Sequence, residues 1–132
     1  MIDLLEKLHM KGYIHCDIKP DNIMIGNFKV DPSLKSKLYL IDFGLSKRYL
    51  DDNGNHVEFR KNVAFQGNLI FSSKNAFGQV TLSRRDDLIS LIYFLIFCVD
   101  SKLDWIDLTR PISDQFNEIA RYKILTKPRE LC

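Results

Sequence analysis

The sequence is poor in cysteine and nearly balanced in charge, and both features exclude classes of protein. Its three cysteines, Cys16, Cys98 and Cys132, are far apart and form no C-x-x-C pair. Their number and spacing argue against a disulfide framework and a zinc site, and they fit a reducing compartment. The formal net charge of +2 is too small to predict nucleic acid or a membrane surface as the main partner.

Long apolar runs are also absent. The longest one, residues 88–99, covers about twelve positions, whereas a membrane-spanning helix needs about 20. We therefore predict no membrane span here but a helix buried in protein, because a helix that is apolar on all sides must be surrounded by other elements. The first residues, MIDLLEKLHMKG, carry charges throughout and lack the apolar core of a signal peptide.

The remaining pattern predicts a small α+β protein. Apolar residues at helical spacing predict helices over residues 2–11, about 84–99 and 113–125, and two short apolar runs predict strands over 22–26 and 37–42. Gly12 follows the first helix as a C-terminal cap would.

One long stretch, residues 44–80, has no convincing periodicity. A loop of that length within a compact domain is usually functional or disordered. The residues that follow it, Ser83 to Asp86, have the form of a capping box, and Asp86 and Asp87 suit the positive end of a helix dipole.

Two polar clusters carry the chemistry. Residues 15–22 read HCDIKPDN, which has the form H-x-D-x-x-x-x-N, and residues 42–44 read DFG at the end of the second strand. Phosphoryl transfer requires a carboxylate near the attacking hydroxyl, a cation near the transferred phosphate and oxygen ligands for magnesium. Asp17, Lys19 and Asn22 on one turn, with Asp42 nearby, would supply these groups.

Each cluster also has an ordinary structural interpretation, in which Asp17 is a turn residue and His15 a core histidine. From average residue usage, the two patterns together occur by chance in about one chain in ten thousand of this length. The catalytic interpretation is therefore preferred.

These clusters resemble the catalytic loop and the Asp-Phe-Gly motif of a eukaryotic protein kinase, and Lys19 is typical of the serine/threonine type. Residues 83–91, SRRDDLISL, are similar to the casein kinase 1 helix that begins SRRDDLESL. Residues 40–47, LIDFGLSK, are similar to that family's IIDFGLAK, and residues 67–78, GNLIFSSKNAFG, to its GTARYASINTHLG. The resemblance extends over nearly the whole chain.

The resemblance implies a protein-kinase-like fold. Residues 1–132 would be one partial kinase domain, a mainly α-helical C-terminal lobe with a short β-hairpin at the catalytic loop and without the N-terminal lobe. The catalytic loop would be residues 15–22, the activation segment residues 42–75, and the buried central helix residues 84–99. The activation segment would also form part of the surface that binds the protein substrate.

The resemblance also implies roles for single residues. Asp17 would be the catalytic base and Lys19 would steady the transferred phosphate. Lys19, Asn22 and Asp42 would bind ATP, and Asn22 and Asp42 would hold Mg²⁺. Asp87 would accept hydrogen bonds from the backbone of the catalytic loop. The reaction would transfer the γ-phosphate of ATP to serine or threonine of a protein, in the cytoplasm or the nucleus.

The histidine of the catalytic loop and the phenylalanine of the second motif, His15 and Phe43, would stack. Trp105 would be a packing residue. Arg84 and Arg85 would either bind acidic or phosphorylated substrates or form a solvated charge pair at the start of a helix. The sequence does not distinguish these two interpretations.

The sequence departs from the family at four positions. Cys16 stands where most kinases have arginine. Asn68, Ile70 and Ile92 stand where the casein kinase 1 family has threonine, arginine and glycine. With no glycine-rich loop and no strand lysine in the sequence, we expect the isolated chain to bind ATP weakly and to turn over negligibly. A non-catalytic, pseudokinase-like binding module is the alternative function, and the sequence predicts no oligomeric state.

Overall fold

The computed structural model describes residues 1–27, 29–35 and 37–127. In these residues the chain forms four α-helices and two small antiparallel sheets, an α+β arrangement as the sequence predicts. The helices are α1 (Ile2–Met10), α2 (Lys74–Phe77), α3 (Arg84–Asp100) and α4 (Phe116–Leu125). The strands are β1 (Tyr13–Ile14), β2 (Ile23–Ile25), β3 (Leu38–Leu40) and β4 (Lys47–Arg48).

The first helix ends where the sequence predicts. Leu5 of α1 is fully buried. Gly12 has a φ of +82°, and its N–H donates to the carbonyl of His9 at 2.9 Å, which satisfies one of the last carbonyls of the helix. Glycine adopts this left-handed conformation without strain. The turn leads the chain into β1 and then into residues 15–22.

The two sheets have two strands each. β2 pairs with β3 antiparallel, with Ile23 opposite Leu40, and forms the hairpin that follows residues 15–22. β1 pairs with β4, which lies in the stretch that lacks periodicity. That stretch is therefore not wholly irregular, since it contains β4 and the one-turn helix α2.

The larger of two clusters of buried apolar residues packs between α2, α3, α4 and the segments next to them. The cluster consists of Phe71, Phe77, Tyr93, Leu103, Trp105 and Ile119. A smaller cluster joins Leu5 and Ile18 to Leu91 of α3. Trp105 donates from Nε1 to the carbonyl of Ile70 at 2.9 Å, which confirms it as a packing residue and satisfies its polar atom.

The longest helix, α3, begins with the predicted capping box, in which the N–H of Ser83 donates to Oδ2 of Asp86 at 2.7 Å. The prediction that α3 is buried on all sides was wrong for one face. Leu88, Ile92, Leu95 and Val99 have exposed fractions of 41, 50, 49 and 83%. Their spacing of four, three and four residues places them in one stripe. The described elements cover the other sides of the helix, so Ile92, which stands in place of a glycine, faces outward.

Candidate active site

Residues 15–22, which the sequence predicts to be a catalytic loop and which keep that name below, are anchored on the buried start of α3. Asp87 is 2% exposed, and its carboxylate accepts the backbone N–H of His15 at 2.8 Å and that of Cys16 at 2.9 Å. This confirms the prediction for Asp87. Because Cys16 has a φ of +67°, a conformation that non-glycine residues rarely adopt, these bonds hold the loop in a turn that it would not favour alone.

A third partner of Asp87 was not predicted. Nε2 of His9, near the end of α1, lies 2.8 Å from Oδ2 of Asp87. The hydroxyl of Tyr49 donates to the carbonyl of His9 at 2.7 Å, which connects α1 to the residue that follows β4. A signal was present, since His9 follows the buried Leu5 by four residues and so lies on the same face of the helix.

Asp17 lies at the centre of the loop with an unusual set of contacts. Its Oδ2 is 2.8 Å from Nζ of Lys19 and accepts from Nδ2 of Asn22 at 3.0 Å. Its Oδ1 is buried and has no hydrogen-bond partner among the described residues. Buried polar atoms are almost always paired. Oδ2 thus has two donors, whereas Oδ1 has none. The unpaired Oδ1 therefore indicates a place where another molecule supplies the donor.

Lys19 and Asn22 hold Asp17 from two sides. The hydrogen bond to Asp17 raises the pKa of Lys19, so the cation is maintained beside the carboxylate. Nδ2 of Asn22 also donates to the carbonyl of Asp17 at 2.8 Å. The two hydrogen bonds from Asn22 to Asp17 both use the amide nitrogen. The amide oxygen of Asn22 is therefore left for another ligand.

Asp42 is brought near this loop by the β2–β3 hairpin. The N–H of Ile41 donates to the carbonyl of Asn22 at 3.0 Å, so Asn22 and Asp42 lie at the same end of the hairpin. Asp42 is exposed, has a φ of +59° and accepts the N–H of Gly44 at 3.1 Å. All four predicted polar residues thus lie on two adjacent turns.

The two motifs are also joined directly. The rings of His15 and Phe43 are 5.1 Å apart, so they are in contact as predicted, but in an edge-to-face arrangement and not in a parallel stack. Nε2 of His15 lies 3.1 Å from the carbonyl of Ile41. The fully buried His15 is therefore a structural link between the catalytic loop and the strand end that carries Asp42.

The pair Asn22 and Asp42 fits a cation that is shared with phosphate oxygens. Mg²⁺ is usually held by one or two protein oxygens together with substrate phosphates and water. Among the described residues, no group of three or more His, Cys, Asp or Glu could hold a metal by itself. The donor set of one carboxylate and one amide oxygen suits a metal that arrives with a nucleotide.

Other residues singled out in the sequence have local partners. Oδ1 of Asn68 accepts the N–H of Ile70 at 2.7 Å and that of Phe71 at 3.1 Å, so this side chain stabilises its own turn. The guanidinium of Arg84 lies 5.0 Å from the ring centre of Tyr49. Arg85 lies 3.6 Å from Asp86. Both arginine side chains thus have partners within the protein.

Cys16 of the catalytic loop lies next to Asp87 of α3, which accepts its backbone N–H. Burial, together with the negative charge of Asp87, raises the pKa of the Cys16 thiol to about 12. Iodoacetamide at pH 8 is therefore expected to alkylate the exposed Cys98 at least about a thousandfold faster than Cys16, because only the thiolate reacts. Peptide mapping by mass spectrometry after timed labelling measures both rates. Similar rates would contradict the raised pKa of the Cys16 thiol.

Comparisons with known proteins agree with this geometry. Residues 1–93 match the model of the protein kinase domain. The chain is 38% identical over 134 aligned positions to casein kinase 1-like protein HD16 of Oryza sativa subsp. japonica, covering 99% of this chain and 18% of that protein. It is 37% identical over 107 residues to a probable casein kinase I homologue of Encephalitozoon cuniculi, covering 81% of this chain and 31% of that protein.

The chain thus spans about a fifth and a third of the lengths of these two relatives. No helix among the described residues has the length and apolar character needed to cross a membrane.

The region that matches the protein kinase domain, residues 1–93, contains the whole catalytic loop, the Asp-Phe-Gly motif and the start of α3. The chain therefore belongs to the protein kinase family, and its similarity within that family is to casein kinase 1 proteins.

Proposed function

We propose that this chain forms the mainly α-helical C-terminal lobe of a serine/threonine protein kinase of the casein kinase 1 type. This is the lobe that binds the protein substrate. The observation that carries the proposal is the buried, unpaired Oδ1 of Asp17 beside an Oδ2 that Lys19 and Asn22 hold in place. A serine or threonine hydroxyl is the donor that this oxygen lacks. Asp17 is thereby positioned as a catalytic base.

Asp17 and the two residues that contact it have separate roles in the proposed phosphoryl transfer. As the substrate oxygen forms its bond to the γ-phosphorus of ATP, the bond from that phosphorus to the β-phosphate oxygen breaks and ADP leaves. Asp17 accepts the proton of the attacking hydroxyl, and Lys19 offers a positive charge to the transferred phosphate. Asn22 fixes the orientation of the carboxylate.

Protein kinases use ATP with Mg²⁺, and we propose Asn22 and Asp42 as the residues that hold the ion. When bound, Mg²⁺ neutralises charge on the phosphate oxygens. The chain's own contribution is to orient two oxygen ligands at the end of the β2–β3 hairpin, beside the catalytic loop.

The proposed substrates include acidic proteins. A cavity behind β1 and β4 is lined by Lys47, Arg48 and Arg60 together with one acidic residue, Glu58. Arg48 pairs with Asp52 at 2.7 Å and Arg60 with Glu58 at 3.4 Å, so the charges of both arginines are partly neutralised. The excess of basic side chains supports binding of acidic groups of a polypeptide at this face.

The experiment that tests the function uses a chimera of the Encephalitozoon relative, in which this chain replaces the matching region. We expect the chimera to transfer phosphate from Mg-ATP to serine or threonine of acidic peptides, measured by mass spectrometry of the peptides. A chimera that is folded and binds ATP but transfers no phosphate would contradict the proposal and favour the alternative, a non-catalytic binding module.

The metal role is tested separately in this chimera. Replacing Asp42→Asn is expected to raise the Mg²⁺ concentration for half-maximal activity by about tenfold or more, because a neutral amide is a weaker ligand than a carboxylate. A titration of initial rate against Mg²⁺ measures this. Asp104→Asn, a change at an exposed site far along the chain, is the control, and equal Mg²⁺ dependence of the two variants would contradict the assignment.

A further inference from the structure

Lys123 on α4 is a buried cation that the proposed reaction does not use. The residue is only 3% exposed. Its Nζ lies 4.7 to 5.2 Å from the ring centres of Tyr93, Trp105 and Phe77, three members of the main core cluster. Lysine is almost never buried without partners, so the surroundings of this nitrogen identify what it does.

The partners of Lys123 are three backbone carbonyls of one short segment. Nζ donates to the carbonyls of Ile70 at 2.6 Å, Ser72 at 2.7 Å and Leu69 at 3.2 Å. An ammonium group has three N–H donors, so donors and acceptors match in number. One side chain of α4 therefore fixes the path of the backbone over residues 69–72.

The protonation state does not decide this role. Burial lowers the pKa of Lys123 to about 6, whereas three carbonyl acceptors and three ring faces act in the opposite direction, because they stabilise the charged form. A neutral amine would still donate two hydrogen bonds to the same segment. The contact to the backbone is thus present in both forms.

The segment that Lys123 holds lies against the catalytic loop. Gly67 has a φ of +117°, and a Cβ atom at this position would be 2.5 Å from Oγ of Ser72 and 2.8 Å from the carbonyl oxygen of Cys16. Real side chains do not approach so closely, so glycine allows the two backbones to meet. Residues 67–72 therefore touch the backbone immediately before Asp17.

We propose that Lys123 is a positioning residue that holds segment 67–72 against the catalytic loop and thereby fixes where the polypeptide substrate lies relative to Asp17. The proposal rests on the proposed function for its substrate, since segment 67–72 belongs to the region that would bind the protein substrate. Its structural part, the connection from α4 to the loop, is independent of any phosphate transfer.

The first test is hydrogen exchange on the 132-residue chain with Lys123→Met. Methionine is similar in length and suits an aromatic pocket, so the variant removes the donors and keeps the packing. We expect the amides of Ile70, Phe71 and Ser72, all bonded to Asn68, to exchange at least about tenfold faster. The amides of α1 should not change. Lys102→Met, at an exposed lysine, is the control and should leave all rates unchanged.

Two results of this test would overturn the proposal. Unchanged exchange over residues 69–72 would mean that Lys123 only fills space among the rings. Faster exchange throughout the chain, including α1, would mean that Lys123 supports the fold in general and positions nothing in particular.

The second test measures kinetics in the chimera. Lys123→Met is expected to raise KM for the peptide by about tenfold or more and to leave KM for ATP within about twofold, because the segment would contact the peptide and not the nucleotide. Lys123→Arg, which keeps N–H donors, should restore part of the peptide affinity. Equal changes in both KM values, or no change, would overturn the substrate role. If the unsubstituted chimera is inactive, the proposed function fails while the exchange result still stands.

Discussion

Replacing Asp17→Asn in the chimera is expected to lower kcat by about a thousandfold, within the range that a positioned general base contributes. The asparagine has nearly the same shape, and one of its polar atoms can still meet Lys19 and Asn22. It cannot accept a proton from a substrate hydroxyl, because a neutral amide is not a base at pH 7. Initial rates of peptide phosphorylation at saturating Mg-ATP measure the change.

The control for this variant lies in the same turn. Asp21→Asn removes one negative charge from an exposed residue of the catalytic loop, and we expect kcat to stay within about twofold of the unsubstituted chimera. KM for ATP should be similar in both variants. A loss of less than about tenfold in Asp17→Asn would show that Asp17 is not the base.

The second large effect concerns stability. Asp87→Ala is expected to lower the free energy of unfolding of the 132-residue chain by about 3–5 kcal/mol, the usual loss when one partner of a buried charged network is removed. The N–H groups of His15 and Cys16, together with Nε2 of His9, would lose a buried acceptor. Urea unfolding followed by the fluorescence of Trp105, the single tryptophan, measures the difference.

Asp100→Ala is the matched control for Asp87→Ala. Asp100 is exposed at the other end of α3, so its removal should change the free energy of unfolding by no more than about 0.5 kcal/mol. If the two variants lost the same stability, the loss could not be assigned to the anchoring of the catalytic loop.

The parts of the site that depend on short spacings could be predicted from the sequence. Asp17, Lys19 and Asn22 share one turn, so their contacts follow from local geometry. Asp87 could be assigned because its position at the start of an apolar helix follows from the capping box. Their catalytic roles stay predictions, since the geometry fits these roles without measuring them.

Contacts between distant parts of the chain could not be predicted. β1 and β4 have two residues each, which is too short for an alternating pattern to appear. Lys123 follows the buried Ile119 by four residues, so it lies on the apolar face of α4. That placement was a detectable signal, but the three carbonyls that make burial of this amine favourable belong to a segment about fifty residues away.

The burial of α3 was predicted incorrectly for a related reason. Composition shows that a helix is apolar, but burial depends on which other elements reach each face. In the described residues the neighbours of α3 reach Leu91 and Tyr93, which lie on different sides of the helix, in separate core clusters, and are 3 and 6% exposed. The stripe of Leu88, Ile92, Leu95 and Val99 between these sides stays 41 to 83% exposed.

The exposed stripe of α3 has a consequence for the lifetime of the protein in a cell. Chaperones and quality-control proteases act on chains that spend time unfolded, and abundance can then change several-fold with small changes in stability. A helix that presents Leu88, Ile92, Leu95 and Val99 to water also favours aggregation. In the described part of the chain, covering this stripe would lower the tendency to aggregate and would favour the folded state by mass action.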